Sequence, residues 1–504
     1  LDDTLNKSAT LDIEQSLIRL YSAEEELTLQ NMNGGQSPSH DYYNRARYTE
    51  MVGQIWKELC ANGSARTGYS DLVNNALFKF SPYTALTEEQ TIIKGNILSD
   101  IVSHADDDNH AIIVRGSAGT GKTLLGLSLL KTLASIPEQS ADLIIDNVST
   151  AEEITAINRL HSMFRGGKLK VAMVVPMDSL RNTLRKVAKK SGLPVSMIKG
   201  PSEVIDSGPY DVLIVDEAHR LSCYRNISYM GSFKNRCEQL GLDPKTSSQL
   251  DWIRLSSRCQ ILFYDKEQSI KKADITDDQF LRTVGDDRSE FILTSQMRCL
   301  GGESYVDYVK AVLDCRGPER LQFGSVYGFR IFDDVQEMVD VIKEKDSSET
   351  LCRVVAGYSW EWATKNLHID ASKVSDDSSM PYDIDIDGHH FVWNNLDDKE
   401  GKEWITNPRS VHEIGCVHTT QGYDLNYVGV IFGKEIDYDP EENRIVVDPK
   451  LLKDMNVKKG CTVEEVREFV INSYKVMMTR GIRGCYVYAC NPNLAKYLRR
   501  YIPV

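Results

Sequence analysis

Two short stretches of this sequence carry residue types whose spacing suits a nucleotide polyphosphate. In the first, Gly116, Ser117, Ala118, Gly119, Thr120, Gly121, Lys122 and Thr123 follow the apolar run Ile112-Ile113-Val114 and precede a leucine-rich helical segment. This is GxxxxGK[ST] between a strand and a helix, the context in which the pattern binds phosphate. Its glycines let backbone amides face phosphate oxygens, and the helix N-terminus adds its dipole. Lys122 brings a positive charge to the β and γ phosphates, and Thr123 offers a hydroxyl to Mg²⁺. In the second stretch, Val212-Leu213-Ile214-Val215 leads into Asp216 and Glu217. Such a continuous apolar run is a strand buried on both faces, which delivers the acids at its C-terminal end. Asp216 suits the Mg²⁺ shell and Glu217 suits orientation or deprotonation of an attacking water. The expected cofactors are therefore ATP and Mg²⁺, and the expected reaction is hydrolysis.

Those residues need parallel strands and helices to hold them, and the chain is long enough to supply both. Its 504 residues allow about three domains at roughly 150 residues each. The composition, 41% hydrophobic and 26% charged, is that of a globular protein, which excludes wholesale disorder. A net charge of −14 argues against nucleic-acid binding through bulk charge, so any such binding needs a local basic groove. The 11 cysteines show no metal-ligand spacing, and the longest apolar runs fall far short of the ~18 residues of a membrane span. A reduced, cytoplasmic protein with no membrane association is expected. The chain begins at Leu1, which leaves room for an effector domain upstream.

The texture of the sequence predicts an α/β fold of two domains with parallel sheets, preceded by a helical segment. Residues 1–80 read as accessory helices, near 11–30 and 42–59, around a polar loop at 31–39. Residues 81–315 form the expected first domain, with strands at 111–115, 170–176, 211–216 and 259–264. Residues 316–504 form the second, with strands at 328–333, 352–358, 413–418, 427–432 and 485–490 and helices near 334–345 and 463–479. Polar interruptions at 138–168, 370–410 and 434–462 read as insertions. Within them, Asp383 to Gly388 resembles the start of a calcium loop but lacks the acidic twelfth position, so a hairpin with an Asp-Gly turn is expected.

From about Leu86 to Tyr501 the chain resembles a superfamily 1 helicase core, most closely the Schlafen group 3-like DNA/RNA helicase domain family of bacterial proteins. Leu86-Thr87-Glu88-Glu89-Gln90 resembles a Q motif, in which Gln90 would read the adenine edge. Thr87 to Gln90 is equally a helix capping box. Asp265 to Gln268 is similar to motif III, which makes Gln268 a γ-phosphate sensor. Leu293 to Arg298 and Asn472 to Gly481 look like motifs IV and VI, and the resemblance assigns Arg298 and Arg480 to charge stabilisation on the transferring phosphoryl group. Val417 to Val430 is similar to motif V, which links nucleotide to nucleic acid through Gln421, Gly422 and Asp424 and touches the strand through His418 and Thr419. Asp424 stands where related motifs often carry Glu, and Asn426 where Asp is usual. A superfamily 2 enzyme would show Ser-Ala-Thr and a GRxGR ending, and neither occurs.

The resemblance implies two RecA-like P-loop domains that hydrolyse ATP at the cleft between them while moving on single-stranded DNA or RNA. Pro176, at the motif Ia position, and Arg181 and Arg185, on one helix face with Lys189, are candidate strand contacts. Trp360, Trp362 and Trp393 are candidates for base stacking or for the core. The alternative is an ATP-gated switch in a larger assembly, such as one for antiviral defence, with a protein partner and no processive unwinding. The acidity of the chain favours it.

Overall fold

The computed structural model describes residues 5–24, 45–74, 78, 80, 86–145, 149–164, 167–225, 227, 229–296, 299–365, 367, 369–376, 379–395, 404–420 and 423–504. Arg298, Gln421, Gly422, the 31–39 loop and the boundary near Ser81 lie outside these residues. The chain divides into two compact units. The first takes Leu1–Gly116, Gly121–Lys266 and Ile275–Leu293, and the second takes Ser117–Thr120, Glu267–Asp274 and Thr294–Val504. Among the described residues, no helix is long and apolar enough to cross a membrane, and all 11 cysteines are free thiols.

The first unit is built on a six-stranded sheet: β1 (His110–Gly116), β2 (Val171–Val174), β3 (Ile198–Lys199), β4 (Tyr210–Val215), β5 (Ser257–Tyr264) and β6 (Arg288–Leu293). Their order is β3-β2-β4-β5-β1-β6, and every pairing is parallel. Ile112, Ile113 and Val114 of β1 and Leu213, Ile214 and Val215 of β4 have no exposed surface, as strands covered on both faces require. The helix Lys122–Ser135 covers one face with seven leucine and glycine positions that are all buried. It lies close because Gly126 has no side chain: a Cβ there would stand 3.0 Å from Phe263 and 3.1 Å from Met173.

The expected accessory helices are Lys7–Ala23 and Arg45–Ala61, joined by a short third helix, Tyr69–Asn74. Leu20, Trp56 and Leu72 share one core cluster with Ile97, Leu130 and Val171 around the sheet. Trp56 is fully buried and donates through its indole nitrogen to the Thr67 carbonyl at 3.0 Å. Glu24 accepts from the Arg66 and Thr67 amides, both at 2.8 Å, and from the Thr67 hydroxyl, while Lys190 donates to the Glu24 carbonyl. These three helices thus extend the hydrophobic core of the first unit. The 138–168 interruption forms the helices Ala141–Ile144 and Ala151–Phe164. The second is joined to the helix Glu88–Ser103 by the Lys94–Glu153 ion pair, 2.7 Å long and largely buried.

The second unit carries a five-stranded parallel sheet of β7 (Gly328–Ile331), β8 (Arg353–Ala356), β11 (Ile414–Gly415), β12 (Leu425–Phe432) and β15 (Gly481–Ala489). The order is β11-β8-β12-β15-β7. Its interruptions hold two antiparallel hairpins, β9 (Ile384–Ile386) with β10 (His389–Phe391) and β13 (Ile436–Asp439) with β14 (Arg444–Val447). The first turns at Asp387 and Gly388, with φ of 53° and 90°, which is the Asp-Gly turn expected from sequence. Trp393 and Trp360 lie in the core, 2% and 8% exposed, and Trp393 stands edge-on to Tyr358. Their rings pack the unit from within, so they offer no open faces to a base. The chain is thus an α/β protein whose two units each carry a parallel sheet.

Because Trp56 is fully enclosed, Trp56→Ala should lower stability by about 3–5 kcal/mol, as large-to-small core substitutions do. Chemical denaturation of the full chain checks this, and an unchanged midpoint would show that the N-terminal helices contribute nothing to that core.

Candidate functional site

The chemistry-bearing residues of the first unit converge at the C-terminal ends of β1 and β4, with β5 between them. After Gly116 the chain makes a turn in which Gly119 and Gly121 take φ of 89° and 77°, left-handed values that glycine adopts without strain. The helix Lys122–Ser135 then begins at Gly121 with no side chain capping it. Its first amides therefore remain available to an anion, with the dipole behind them. Lys122 is 6% exposed, and its Nζ donates to the Gly116 carbonyl at 2.6 Å, which folds the ammonium over the turn. The Thr120 hydroxyl closes the turn on the Ser117 carbonyl at 3.0 Å.

Thr123 Oγ1 donates to Asp216 Oδ2 at 2.8 Å, which joins the helix after β1 to the residue after β4. Asp216 has no exposed surface, and its other oxygen, Oδ1, has no hydrogen-bond partner. A bare buried carboxylate oxygen is costly unless a cation or donor meets it. Burial pushes the Asp216 carboxyl upward in pKa and the adjacent Glu217 charge adds to this, against smaller opposing effects of Thr123 and Lys122.

Glu217 sits in a left-handed backbone conformation with φ 49°, unusual for a residue with a Cβ and typical of strained functional sites. Its Oε2 lies 2.8 Å from Nε2 of His219, a residue with no exposed surface. Burial raises the Glu217 carboxyl too. The charge of His219, followed by those of Lys122 and Arg220, outweighs burial and holds Glu217 below the usual carboxylate range. Two neighbouring acids are thus driven apart in proton affinity. Sequence reasoning passed over the part of His219; its place two residues after Glu217 was the available signal.

The other candidates fall as follows. Gln90 is 1% exposed, and its side chain completes the capping box with Thr87: Gln90 Oε1 accepts from the Thr87 amide at 3.1 Å and Thr87 Oγ1 accepts from the Gln90 amide at 3.2 Å. Pro176 precedes the helix Asp178–Lys190, on which Arg181 donates to the Val175 carbonyl at 2.8 Å and pairs with Asp178. Arg185 donates to the Ile198 carbonyl and pairs with Glu203 at 2.9 Å. Both guanidiniums thus have partners within their own unit, which tie this helix to β3 and to the turn after it.

In the second unit, Gln268 is buried at the end of a short turn, Lys266–Gln268. The following loop is held by Asp274, which accepts from the Ile270 amide at 3.1 Å, and by Asn472, which donates to the Ser269 carbonyl at 3.2 Å. Gln296 Nε2 donates to the Ala118 carbonyl at 2.6 Å, a contact sequence reasoning did not foresee. Arg480 follows the helix Val463–Met478, is 3% exposed, and reaches the Tyr423 carbonyl beside Asp424 at 3.5 Å. Val417–Thr420, expected as the end of a strand, is one helical turn, because Thr419 Oγ1 bonds the Cys416 amide and carbonyl, both at 2.9 Å. His418 on that turn is exposed, 3.9 Å from Asp454.

Residues 109–491 match the family described as Schlafen group 3, DNA/RNA helicase domain. An uncharacterised protein of Saccharomyces cerevisiae is 25% identical over 472 residues, covering 84% of this chain and 92% of its own length. Among solved structures, a Pif1 helicase from Bacteroides in complex with ADP-AlF3 and single-stranded DNA is similar over 79% of this chain and 93% of its own. Its identity is 10% and its TM-score 0.26.

The Glu217–His219 contact predicts energetic coupling. His219→Ala should destabilise the chain by about 1–3 kcal/mol by leaving a half-buried carboxylate without its ion-pair partner. In a double-mutant cycle with Glu217→Gln, measured by thermal unfolding, the coupling should exceed about 0.5 kcal/mol; additive effects would contradict the contact.

Proposed function

Since the chain belongs to the Schlafen group 3 DNA/RNA helicase domain family, we propose that it is an ATP hydrolase that uses the reaction to move on or unwind nucleic acid. The observation that carries the reading is Asp216: a fully buried acid at the end of β4, bonded to Thr123 through one oxygen and unpartnered at the other. That orphaned oxygen beside a hydroxyl fits a hard cation, so Thr123 and Asp216 would hold Mg²⁺. When bound, the ion supplies charge neutralisation across the β and γ phosphates. Lys122 and the uncapped amides after Gly121 bind the phosphates, and in doing so Lys122 exchanges its Gly116 carbonyl for phosphate oxygens.

Glu217, kept ionised by His219, orients the attacking water and accepts its proton. Gln268 and Arg480 take the roles that the family resemblance implies, sensing the γ phosphate and stabilising charge on the transferring group. The polymer is single-stranded DNA or RNA, with His418, exposed on its helical turn, as one contact. A second reading, an ATP-gated switch that signals to a protein partner, is favoured by the net charge of −14 and by the internal partners of Arg181 and Arg185.

Lys122→Ala should reduce ATP turnover at least 100-fold with the unfolding temperature unchanged within about 2 °C. Retained turnover, read by phosphate release, would remove Lys122 from the site. Glu217→Gln should still bind ATP, by equilibrium binding of a fluorescent analogue, while hydrolysing it at least 100-fold more slowly. Loss of binding together with turnover would assign Glu217 to nucleotide binding instead of to the water.

A further inference from the structure

At the end of β1 opposite the phosphate turn, the first unit gathers a second set of chemistry-bearing residues. His110 opens β1 and is 1% exposed. Its Nε2 lies 2.8 Å from Asp100 Oδ2 and its Nδ1 lies 3.2 Å from Asp287 Oδ1. Asp100 belongs to the helix Glu88–Ser103, and His104, four residues on, caps that helix on the same face. The His104 ring stacks on His110 with centroids 3.8 Å apart, and its Nδ1 is 3.4 Å from Asp100 Oδ1. Ser289 of β6 donates to that same Oδ1 at 2.9 Å. The ligand atoms of Asp100, His104 and His110 all lie within 4.8 Å of one another.

A neutral imidazole has a single N–H. If His110 donates it from Nδ1 to Asp287, Nε2 presents a lone pair to a carboxylate oxygen that also has only lone pairs, at 2.8 Å and out of water. Two such acceptors stay together only when a proton or a metal cation lies between them. The surroundings favour the metal. A third donor, His104, stands beside the pair at helical i, i+4 spacing from Asp100. Asp287 on the far nitrogen of His110 and Ser289 on the second oxygen of Asp100 are the outer partners that orient metal-bound imidazoles and carboxylates.

Bonds of about 2.0–2.1 Å in a tetrahedral site set ligand atoms about 3.3 Å apart. The contact between His110 Nε2 and Asp100 Oδ2, 2.8 Å, needs to open by about half an ångström to admit the ion. The His104 ring lies parallel to that of His110 with its Nδ1 3.0 Å from the Asp100 carbonyl, so it must turn out of that stack to aim Nε2 at the ion, and its side chain, 32% exposed, has room to do so.

We propose that Asp100, His104 and His110 bind one divalent transition-metal cation of the zinc class, with water as the fourth ligand. Two imidazoles and one carboxylate suit such an ion, whereas Mg²⁺ prefers oxygen alone, so the site is chemically distinct from Thr123 and Asp216. The ion ties the end of the helix Glu88–Ser103 to the start of the strand that leads into Gly116, and so stabilises the fold that presents the phosphate turn.

The test is calorimetric titration of the EDTA-dialysed full chain with ZnCl₂ in millimolar MgCl₂, paired with thermal unfolding. The wild type should take up one Zn²⁺ per chain more tightly than 10 µM, and its unfolding temperature should rise with the metal. His104→Ala should weaken that binding at least 100-fold and abolish the rise, while its unfolding temperature in EDTA stays that of the wild type. Asp287→Asn should weaken it about 10–100-fold with the stoichiometry kept. Equal binding by wild type and His104→Ala would overturn the site, and so would no binding by either, which would leave a shared proton between His110 and Asp100. Loss of binding only in Asp287→Asn would also overturn it, by placing the ion on the other ring nitrogen.

Discussion

A carboxylate with no exposed surface, held by one hydroxyl and otherwise unsatisfied, is the constraint around which the first unit is arranged. Asp216 tolerates burial only because Thr123 reaches it, and Thr123 reaches it only because the helix Lys122–Ser135 lies close on the sheet. That closeness depends on Gly126 against Phe263 and Met173. The run Leu213-Ile214-Val215 follows from the same demand, since a strand covered on both faces keeps water from the acid it delivers. The strain at Glu217 and the buried His219 beside it keep two adjacent acids in different electrostatic states within one peptide bond of each other.

The second unit applies the parallel-sheet logic with different fastenings. Its long interruptions are pinned by buried charged groups. Arg353, 3% exposed, donates to Ser410 and Asp346, both at 2.7 Å, which binds the segment before β11 to β8. Asp383 accepts from the Thr364 and Trp393 amides at 2.7 and 2.8 Å and so fixes the hairpin of β9 and β10. Glu435, buried beyond β12, accepts from Tyr474 at 2.6 Å and from Ser359, and burial raises its pKa. Gly357 and Gly433 flank that carboxylate, where a Cβ on either would approach it to 2.3 Å. Removing one partner from any of these clusters exposes an unpaired buried group, which is why the interruptions behave as parts of the fold.

What was legible in the sequence follows from how much of each signal is local. The apolar runs of β1, β4, β5 and β12 and the glycine-lysine turn are contiguous, so their elements and the assembly of Thr123 with Asp216 could be read directly. The edge strand β6, Arg-Ser-Glu-Phe-Ile-Leu, has a mixed pattern because it pairs only with β1. β3 is two residues long, below any periodic signal. The segment 434–462 looked like a polar insertion, yet Ile436, Tyr438, Ile445 and Val447 alternate inward from a hairpin. Thr87 and Gln90 fit two readings in sequence, and both halves of the capping box are made, through Gln90 Oε1 and Thr87 Oγ1. The partners of Arg181 and Arg185, the carbonyls of Val175 and Ile198 and the Glu203 carboxylate, are set by tertiary structure and leave no mark on helical spacing.

The central claim is that Lys122, Thr123, Asp216 and Glu217 hydrolyse ATP in the service of a nucleic-acid strand. The most direct measurement is phosphate release by the full chain with Mg²⁺ at low salt, with and without single-stranded DNA or RNA, because contacts to phosphate weaken steeply with ionic strength. The account predicts turnover that rises at least several-fold with one of the two polymers and loses that stimulation as salt is raised. A rate indifferent to both polymers across the salt range would contradict the motor.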